Sequence, residues 1–271
     1  MTNTPYAEVI GDPIAHSKSP LIHGFWLEKL GLAGDYRATH VVADDLADFF
    51  ARRSADPDWR GCNITVPHKV AALDHVPDPG DVRGMIGAAN TVFRGEDGAL
   101  IATNTDAAGF LSPIADLDLA GQPVVVVGAG GAARAVLFAL ARSNVGRVTL
   151  INRTPLKGAA LLAKFGLKGD ALPLTARLPE AALLVNTSVL GMTGHDPLDL
   201  DLTPLPADAV VYDIVYAPLE TPLLKAARAR DLETVDGLEM LVGQAAVAFE
   251  LFFGAAPPRE HDGELRARLL A

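Results

Sequence analysis

One cysteine in 271 residues, Cys62, leaves no partner for an internal disulfide and no cluster of soft metal ligands. That usage suits a reducing compartment. Basic residues are scarce as well: 23 Lys and Arg stand against 33 Asp and Glu, a formal net charge of -10. A chain of that sign has no general attraction for nucleic acid or anionic membrane, so an anionic ligand must be gripped by local groups set against the overall field. A membrane-length apolar run is missing, because the longest one, residues 124–140, is broken by glycines and Arg134. Residues 1–6 carry neither the basic region nor the apolar stretch of a signal peptide. No repeat or low-complexity tract occurs, and the seven histidines include no H-x-x-x-H pair with carboxylate support. These absences set the expectation of a cytoplasmic protein with no nucleic-acid partner, no membrane partner and no metal.

What is present is a globular composition, 49% hydrophobic and 21% charged, long enough for one large domain or two modest ones. Short β-branched runs alternate with helical patterns, which predicts α/β architecture. In the first part, strands are expected at residues 6–10, 39–42 and 61–66. A helix is expected from Pro20, with Leu21, Phe25, Leu27 and Leu30 as its apolar face and Gly31 closing it. A second, amphipathic helix is expected at residues 45–53. From about residue 105 the rhythm changes. Residues 123–127 hold four consecutive valines, the mark of a strand buried on both faces. A helix over residues 131–142 follows, then strands at 148–151, 183–186 and 210–213, the order of a doubly wound parallel sheet. A long helix over residues 239–253 is left unassigned by periodicity alone.

Gly128, Ala129, Gly130, Gly131, Ala132 and Ala133 spell G-x-G-x-x-A between a strong strand and a strong helix. Glycine lets the backbone turn sharply and approach a pyrophosphate, and the N–H groups of the helix start then bind the phosphates. A tight turn with no ligand is the plainer alternative; the strand–loop–helix context favours a dinucleotide. NAD sites usually end the next strand with an acid that binds the ribose 2′-hydroxyl. Here Asn152, Arg153 and Thr154 follow instead, with Lys157 beyond, groups that suit a 2′-phosphate and therefore NADP(H).

Four polar segments carry more reactive side chains than packing requires. Ser17 and Ser19 precede a helix, where hydroxyls and helix-start amides make a carboxylate site, or where Ser19 simply caps. Thr65 and Lys69 stand at the C-terminal end of a strand, where α/β sheets bind ligands. Asn90-Thr91 and Asn104-Thr105-Asp106 read alone as a turn and a helix cap. Together the segments supply one ammonium, one carboxylate and several neutral hydrogen-bonding groups.

These residues resemble the shikimate dehydrogenase family over essentially the whole chain. The resemblance runs through the segments at residues 11–20 with His23, 63–69, 89–91, 104–106 with Gly109, 128–132, 152–154, 186–188 with Gly191-Met192, Tyr216 with 221–224, and 236–238 with 240–242 and 244–246. It implies two domains: a discontinuous α/β substrate/catalytic domain, residues 1–104 and 238–271, and a Rossmann-type doubly wound NADP-binding domain, residues 105–237. It further implies the reversible NADPH-dependent reduction of 3-dehydroshikimate to shikimate, a step of aromatic amino-acid biosynthesis. Lys69 and Asp106 are the implied catalytic pair. Ser17 and Ser19 hold the carboxylate; Thr65, Asn90, Tyr216 and Gln244, with Asp106, contact the ring. Gly128, Ala129, Gly130, Gly131 and Ala132 take the pyrophosphate, Asn152, Arg153, Thr154 and Lys157 the adenosine phosphate. Ile214, Gly237 and Met240 flank the nicotinamide, and Asp81 aligns with an acidic position assigned to the cofactor.

The chain departs from the family pattern at Lys157, where some members have arginine, at Glu239, where glycine is common, and across residues 186–190. A carboxylate beside Lys69 favours its ammonium and burial favours the neutral amine, so its charge state stays open. The expected partner is the small-molecule substrate, and the expected assembly a monomer or homodimer. The rival readings are a quinate/shikimate dehydrogenase of the same fold and a catalytically silent relative that senses a metabolite.

Overall fold

The computed structural model describes residues 4–271. Met1, Thr2 and Asn3, the start of the stretch read for a targeting signal, lie outside the described residues. The chain divides into two compact units, Met1–Thr105 with Val242–Ala271, and Asp106–Leu241.

The first unit runs β1 (Tyr6–Gly11), α1 (Ser19–Leu30), β2 (Asp35–His40), α2 (Leu46–Ser54), β3 (Trp59–Ile64), a single-turn α3 (Val82–Met85), β4 (Thr91–Arg94) and β5 (Leu100–Thr103). Its sheet has the order β2-β1-β3-β4-β5. β1 pairs in parallel with β2 and β3, and the antiparallel β4–β5 ribbon extends the sheet from β3. α1 closes on Gly31 in the left-handed region, φ 62°, where the glycine N–H returns to the helix carbonyls.

Three expectations for this unit need correction. The buried positions of α1 are Ser19, Ile22, His23, Phe25, Trp26 and Leu27, whereas Leu21 and Leu30 are exposed. The set 19, 22, 23, 26 recurs at helical spacing, so a histidine and a tryptophan take the inward stripe that leucines were expected to fill. β2 begins at Asp35 and not at Thr39, because its register against β1 runs from Tyr6↔Asp35 to Gly11↔His40. β3 stops at Ile64; Thr65 turns out of the sheet, accepting the His68 N–H on its carbonyl. The β4–β5 ribbon carried too few alternating residues to be read as two strands.

The second unit runs α4 (Asp106–Leu111), β6 (Val124–Val127), α5 (Gly131–Arg142), β7 (Val148–Ile151), α6 (Pro155–Lys164), β8 (Gly169–Leu172), β9 (Leu183–Asn186), β10 (Val210–Asp213), α7 (Pro222–Arg228) and β11 (Glu233–Val235). All six strands are parallel, in the order β11-β10-β9-β6-β7-β8. Renumbered within the unit, this is the 3-2-1-4-5-6 order of a Rossmann fold, reversing direction between β6 and β9. Alternate residues of the valine strand serve opposite faces: Val124 and Val126 join one buried cluster with Leu137 and Leu150, and Val125 and Val127 join another with Leu184 and Leu224. A strand covered on both sides has no solvent face, which is why its sequence does not alternate. β8 and β11 escaped the sequence reading, for these short edge strands carry Gly169, Asp170 and Glu233.

α8 (Gly237–Phe253) contains the division between the units at Leu241/Val242, and α9 (Asp262–Leu270) ends the chain in the first unit. In that unit Ala248 and Phe252 of α8 pack with Ala7, Val9, Ile14 and Tyr36. Among the described residues no helix is long and apolar enough to cross a membrane.

Candidate active site

In the first unit, four loops converge at the C-terminal ends of β1 and β3. Thr65 N–H bonds the Ile10 carbonyl at 2.9 Å and Asp12 N–H the Val66 carbonyl at 3.1 Å, tying the loop after β3 to the loop after β1. Ala89 N–H bonds the Lys69 carbonyl at 2.7 Å, and Asn104 Nδ2 donates to the Ala88 carbonyl at 2.7 Å. These bonds bring Ser17, Ser19, Thr65, Lys69 and Asn90 to one end of one sheet, although up to 73 positions separate them in the 271-residue chain.

Ser19 is buried and Ser17 half-buried. The capping alternative for Ser19 does not hold: Lys18 is the N-cap of α1, with no side-chain capping bond, and Ser17 Oγ accepts the Ser19 N–H at 3.3 Å. A serine that accepts from the backbone keeps its own hydrogen to donate, the polarity a carboxylate needs. Asn90, Thr105 and Gln244 are all nearly fully buried and bonded to one another: Asn90 Nδ2 donates to Thr105 Oγ1 at 2.9 Å and to Gln244 Oε1 at 3.4 Å. α8 thus returns Gln244 to the sheet that holds Asn90. Asp81 also belongs to this unit, whereas the other residues read as cofactor-binding belong to the second; its carboxylate accepts the Gly84 N–H at 3.0 Å and caps α3.

Three histidines stand among these segments and on α1. His16 is exposed, and His68 is buried with Nε2 2.6 Å from the Val41 carbonyl. His23 is neither on the surface nor hydrogen-bonded: it is fully buried, both ring nitrogens lack a hydrogen-bond partner, and burial pushes its pKa down to about 3.

In the second unit, Gly128 follows β6 with φ 105°, a conformation closed to most L-residues. A Cβ there would stand 2.7 Å from Thr187 Oγ1, at the start of the loop after β9. The turn therefore sits where the strand order reverses, the usual ligand crevice of an open parallel sheet. Gly130 is the N-cap of α5, with no side-chain capping bond, and a Cβ on it would meet nothing within 4 Å. Uncapped helix-start amides facing open space can receive a phosphate. Past β7, Arg153, Thr154 and Lys157 are exposed, and Asn152 Nδ2 pins the turn by donating to the Thr154 carbonyl at 2.9 Å. No acid occupies this turn, so the donor set fits a phosphorylated ribose.

Three more expected cofactor residues lie close together. Gly237 sits so near the Ile214 carbonyl that no Cβ fits between them. Met240 is buried in an apolar cluster against which Ile214 and Ala129 of the glycine turn pack. Tyr216, half-buried, has its hydroxyl pKa raised by burial. Asp106 begins α4 in this unit and is buried; Glu239, the departure noted before Met240, is exposed.

A network without an assigned role supports this end of the sheet. Asp213, fully buried, accepts from Asn186 Nδ2 at 2.9 Å, Val215 N–H at 3.0 Å and Thr221 Oγ1 at 2.7 Å. Burial raises its carboxyl pKa. The bonds fix residues 214–216 against the loop after β9. The signal in the sequence was an acid ending an otherwise apolar strand.

Comparison with known proteins gives the family. The family described as "Shikimate dehydrogenase substrate binding domain" matches residues 9–92, "Shikimate / quinate 5-dehydrogenase" matches 112–187, and "Shikimate 5'-dehydrogenase C-terminal domain" matches 237–261. A shikimate dehydrogenase (NADP(+)) of Sphingopyxis alaskensis is 69% identical over 268 residues, covering 99% of this chain and 98% of the relative. The Thermus thermophilus shikimate 5-dehydrogenase, solved with NADP(H) and shikimate, is 39% identical, with a TM-score of 0.85 over 97% of this chain and 99% of that one. A ligand-free 5-ketofructose reductase of Gluconobacter is 30% identical, with a TM-score of 0.89 over 99% and 100% of the two chains. With 69% identity to the Sphingopyxis relative over nearly the whole of both chains, and family matches over residues 9–92, 112–187 and 237–261, this chain belongs to the shikimate dehydrogenase family.

Proposed function

We propose that this chain catalyses the reversible NADPH-dependent reduction of 3-dehydroshikimate to shikimate, in the cytoplasm, as a step of aromatic amino-acid biosynthesis. The observation that carries the reading is the convergence of Ser17, Ser19, Thr65, Lys69 and Asn90 at one sheet end, in a chain whose curated relatives bear that activity in their names. The units then divide the work. Most of the proposed substrate groups belong to Met1–Thr105 with Val242–Ala271, and most of the proposed coenzyme groups to Asp106–Leu241.

Ser17 and Ser19 donate to the substrate carboxylate, an anion that a chain of net charge -10 must otherwise repel. Thr65, Asn90, Tyr216 and Gln244 orient the ring through its hydroxyls. In the coenzyme unit Gly128, Ala129, Gly130, Gly131 and Ala132 hold the pyrophosphate, and Asn152, Arg153, Thr154 and Lys157 hold the 2′-phosphate. Ile214, Gly237 and Met240 form the apolar wall for the nicotinamide. Asp81 is carried as a further cofactor-side acid, in competition with its capping of α3.

NADPH, when bound, supplies the hydride that reduces the ketone carbon. The chain's own task is one proton. As the carbonyl carbon accepts hydride, its oxygen gains negative charge and Lys69 Nζ delivers a proton to it; in the oxidative direction the neutral amine takes the hydroxyl proton back. Asp106, the other member of the proposed catalytic pair, supplies a carboxylate acceptor.

The test follows NADPH absorbance with shikimate or quinate and with NADP or NAD, for the parent and for Lys69→Ala. Turnover should be fastest with shikimate and NADP, and Lys69→Ala should lower kcat by ~10²–10⁴-fold. Turnover of the variant within a few-fold of the parent would remove the lysine from its role. Faster turnover of quinate with NAD would instead favour the quinate-type activity.

A further inference from the structure

Asn90 and Gln244 are oriented by side chains to which no role has been given. Tyr36, on β2, lies flat on the imidazole of His23, with 3.9 Å between ring centroids and 1° between planes. Its hydroxyl is buried, and burial raises its pKa well above the ordinary value, so it keeps its proton. That hydroxyl donates to Asn63 Oδ1 at 2.6 Å. An amide whose oxygen is so engaged must turn its nitrogen the other way, and Asn63 Nδ2 donates to Thr91 Oγ1 at 3.0 Å. Thr91, having accepted, spends its one hydrogen on Asn90 Oδ1 at 3.0 Å. Thr105 N–H meets the same oxygen at 2.7 Å. Asn90 Nδ2 is therefore the donor toward Thr105 Oγ1 and Gln244 Oε1, and Thr105 Oγ1 also lies 3.4 Å from that glutamine oxygen. With its oxygen committed to the chain, Gln244 carries Nε2, a pure donor, on the opposite side of its side chain. All six residues are at most 8% exposed, so water does not substitute for a lost link.

We infer that Tyr36, Asn63 and Thr91 form a buried relay of hydrogen-bond polarity that orients the Asn90 and Gln244 amides, so that Gln244 meets a ring hydroxyl as donor to its oxygen. The relay deepens the proposed function and rests on Asn90 and Gln244 being substrate groups. Its members are positioning residues. Without the tyrosine hydroxyl, Asn63 flips, its oxygen draws the Thr91 hydrogen, and Asn90 Oδ1 keeps only its Thr105 donors, the N–H at 2.7 Å and Oγ1 at 3.3 Å. Thr105 N–H remains, so the effect is graded and not a collapse.

The test is a double-mutant cycle in steady-state kinetics with shikimate and NADP, using the parent, Tyr36→Phe, Gln244→Ala and the double variant, with melting curves beside it. Tyr36→Phe keeps the stack on His23 and deletes one oxygen, which bonds Asn63 and also meets the Ser19 side chain, so Thr91→Val, which leaves Ser19 untouched, is read beside it. It should raise KM for shikimate roughly three- to ten-fold, the worth of one hydrogen bond, while leaving KM for NADP unchanged. On the Gln244→Ala background the same change should have an effect below about two-fold, because coupled sites are not additive. Thr91→Val should repeat the KM rise and Thr91→Ser should restore the parent value, which keeps the relay testable if Tyr36→Phe does not fold. Additive effects, an equal rise in KM for NADP, or a lowered melting temperature with unchanged KM would overturn the relay. If Gln244→Ala alone leaves KM for shikimate unaltered, the assignment of Gln244 to the substrate fails first and the relay falls with it. A raised KM there with none for Tyr36→Phe defeats the relay alone.

Discussion

The two units bury polar groups in opposite ways. In the mixed sheet of the first, a carboxylate sits in the middle of a strand: Glu8 is fully buried, and it accepts from Arg53 Nε at 2.6 Å, Arg53 Nη2 at 3.2 Å, Trp59 Nε1 at 2.8 Å and Thr39 Oγ1 at 2.5 Å. In the parallel sheet of the second, strand interiors are almost wholly apolar, and Asn186, Thr187 and Asp213 gather at strand ends. Asp213 has neutral donors only. A charge in mid-sheet is tolerable with a cation bound to it, whereas one at a strand end is satisfied by the amides and hydroxyls of the following loop.

The largest effect that sharpens this contrast is expected at Glu8. Glu8→Gln removes the charge facing Arg53 and turns an N–H₂ toward a donor, and should cost about 3 kcal/mol in denaturant unfolding. A loss within about 0.5 kcal/mol, the usual size for a surface change, would show that the pair is not what holds the strand.

His23 comes next. Above its unfolded pKa of 6.5 both states are neutral and it has no pH effect; below, the unfolded chain takes a proton that the folded chain refuses until about pH 3. Its contribution is thus complete above pH 6.5 and lost as the pH falls, at about 1.4 kcal/mol per unit. His23→Phe, which keeps a ring against Tyr36, should gain about 2 kcal/mol on the parent at pH 5 relative to pH 7.5. Parallel stability curves across that range would refute it.

In the second unit Gly128→Ala should weaken NADP binding about ten-fold, since a side chain at that φ and distance from Thr187 costs ~1–3 kcal/mol. Titration of the coenzyme reads it, and shikimate binding should not change. The smallest effect is expected at Asp213. Asp213→Asn retains an acceptor for the Asn186 and Val215 donors but orphans the Thr221 hydroxyl hydrogen, while relieving a buried charge. The net loss should be about 1 kcal/mol, measured as for Glu8. A cost equal to that of Glu8→Gln would erase the contrast.

The second unit was the more legible of the two in the sequence, for the same reason. Valines 124–127 and the glycines after them are dictated by local rules: two-sided burial, and a turn that needs positive φ. The four strands predicted there start and end within a residue of their observed bounds. In the first unit the deciding contacts are distant in sequence. The partners of Glu8 lie 31, 45 and 51 positions away, and nothing local to residues 6–10 announces them. β2 was misplaced because its start is set by pairing with β1, and the buried face of α1 was misread because His23 and Trp26 take core positions through aromatic neighbours on β2 and α8. The residues of the proposed substrate site could be listed from motifs, but the bonds that bring Lys69 beside Ala89, and Gln244 to Asn90, belong to the fold.

The interrupted first unit has a consequence for synthesis. Leaving the ribosome, residues 4–105 lack the C-terminal pieces of their own core: Ala248 and Phe252, and the α9 end whose Leu269 carbonyl receives Lys18. The Asp106–Leu241 segment is contiguous and can complete its sheet while the tail is still being translated. The nascent N-terminal strands must therefore wait, with apolar surface uncovered, until the last helices emerge, and this interval is the point in the protein's life when a holdase chaperone has most to protect.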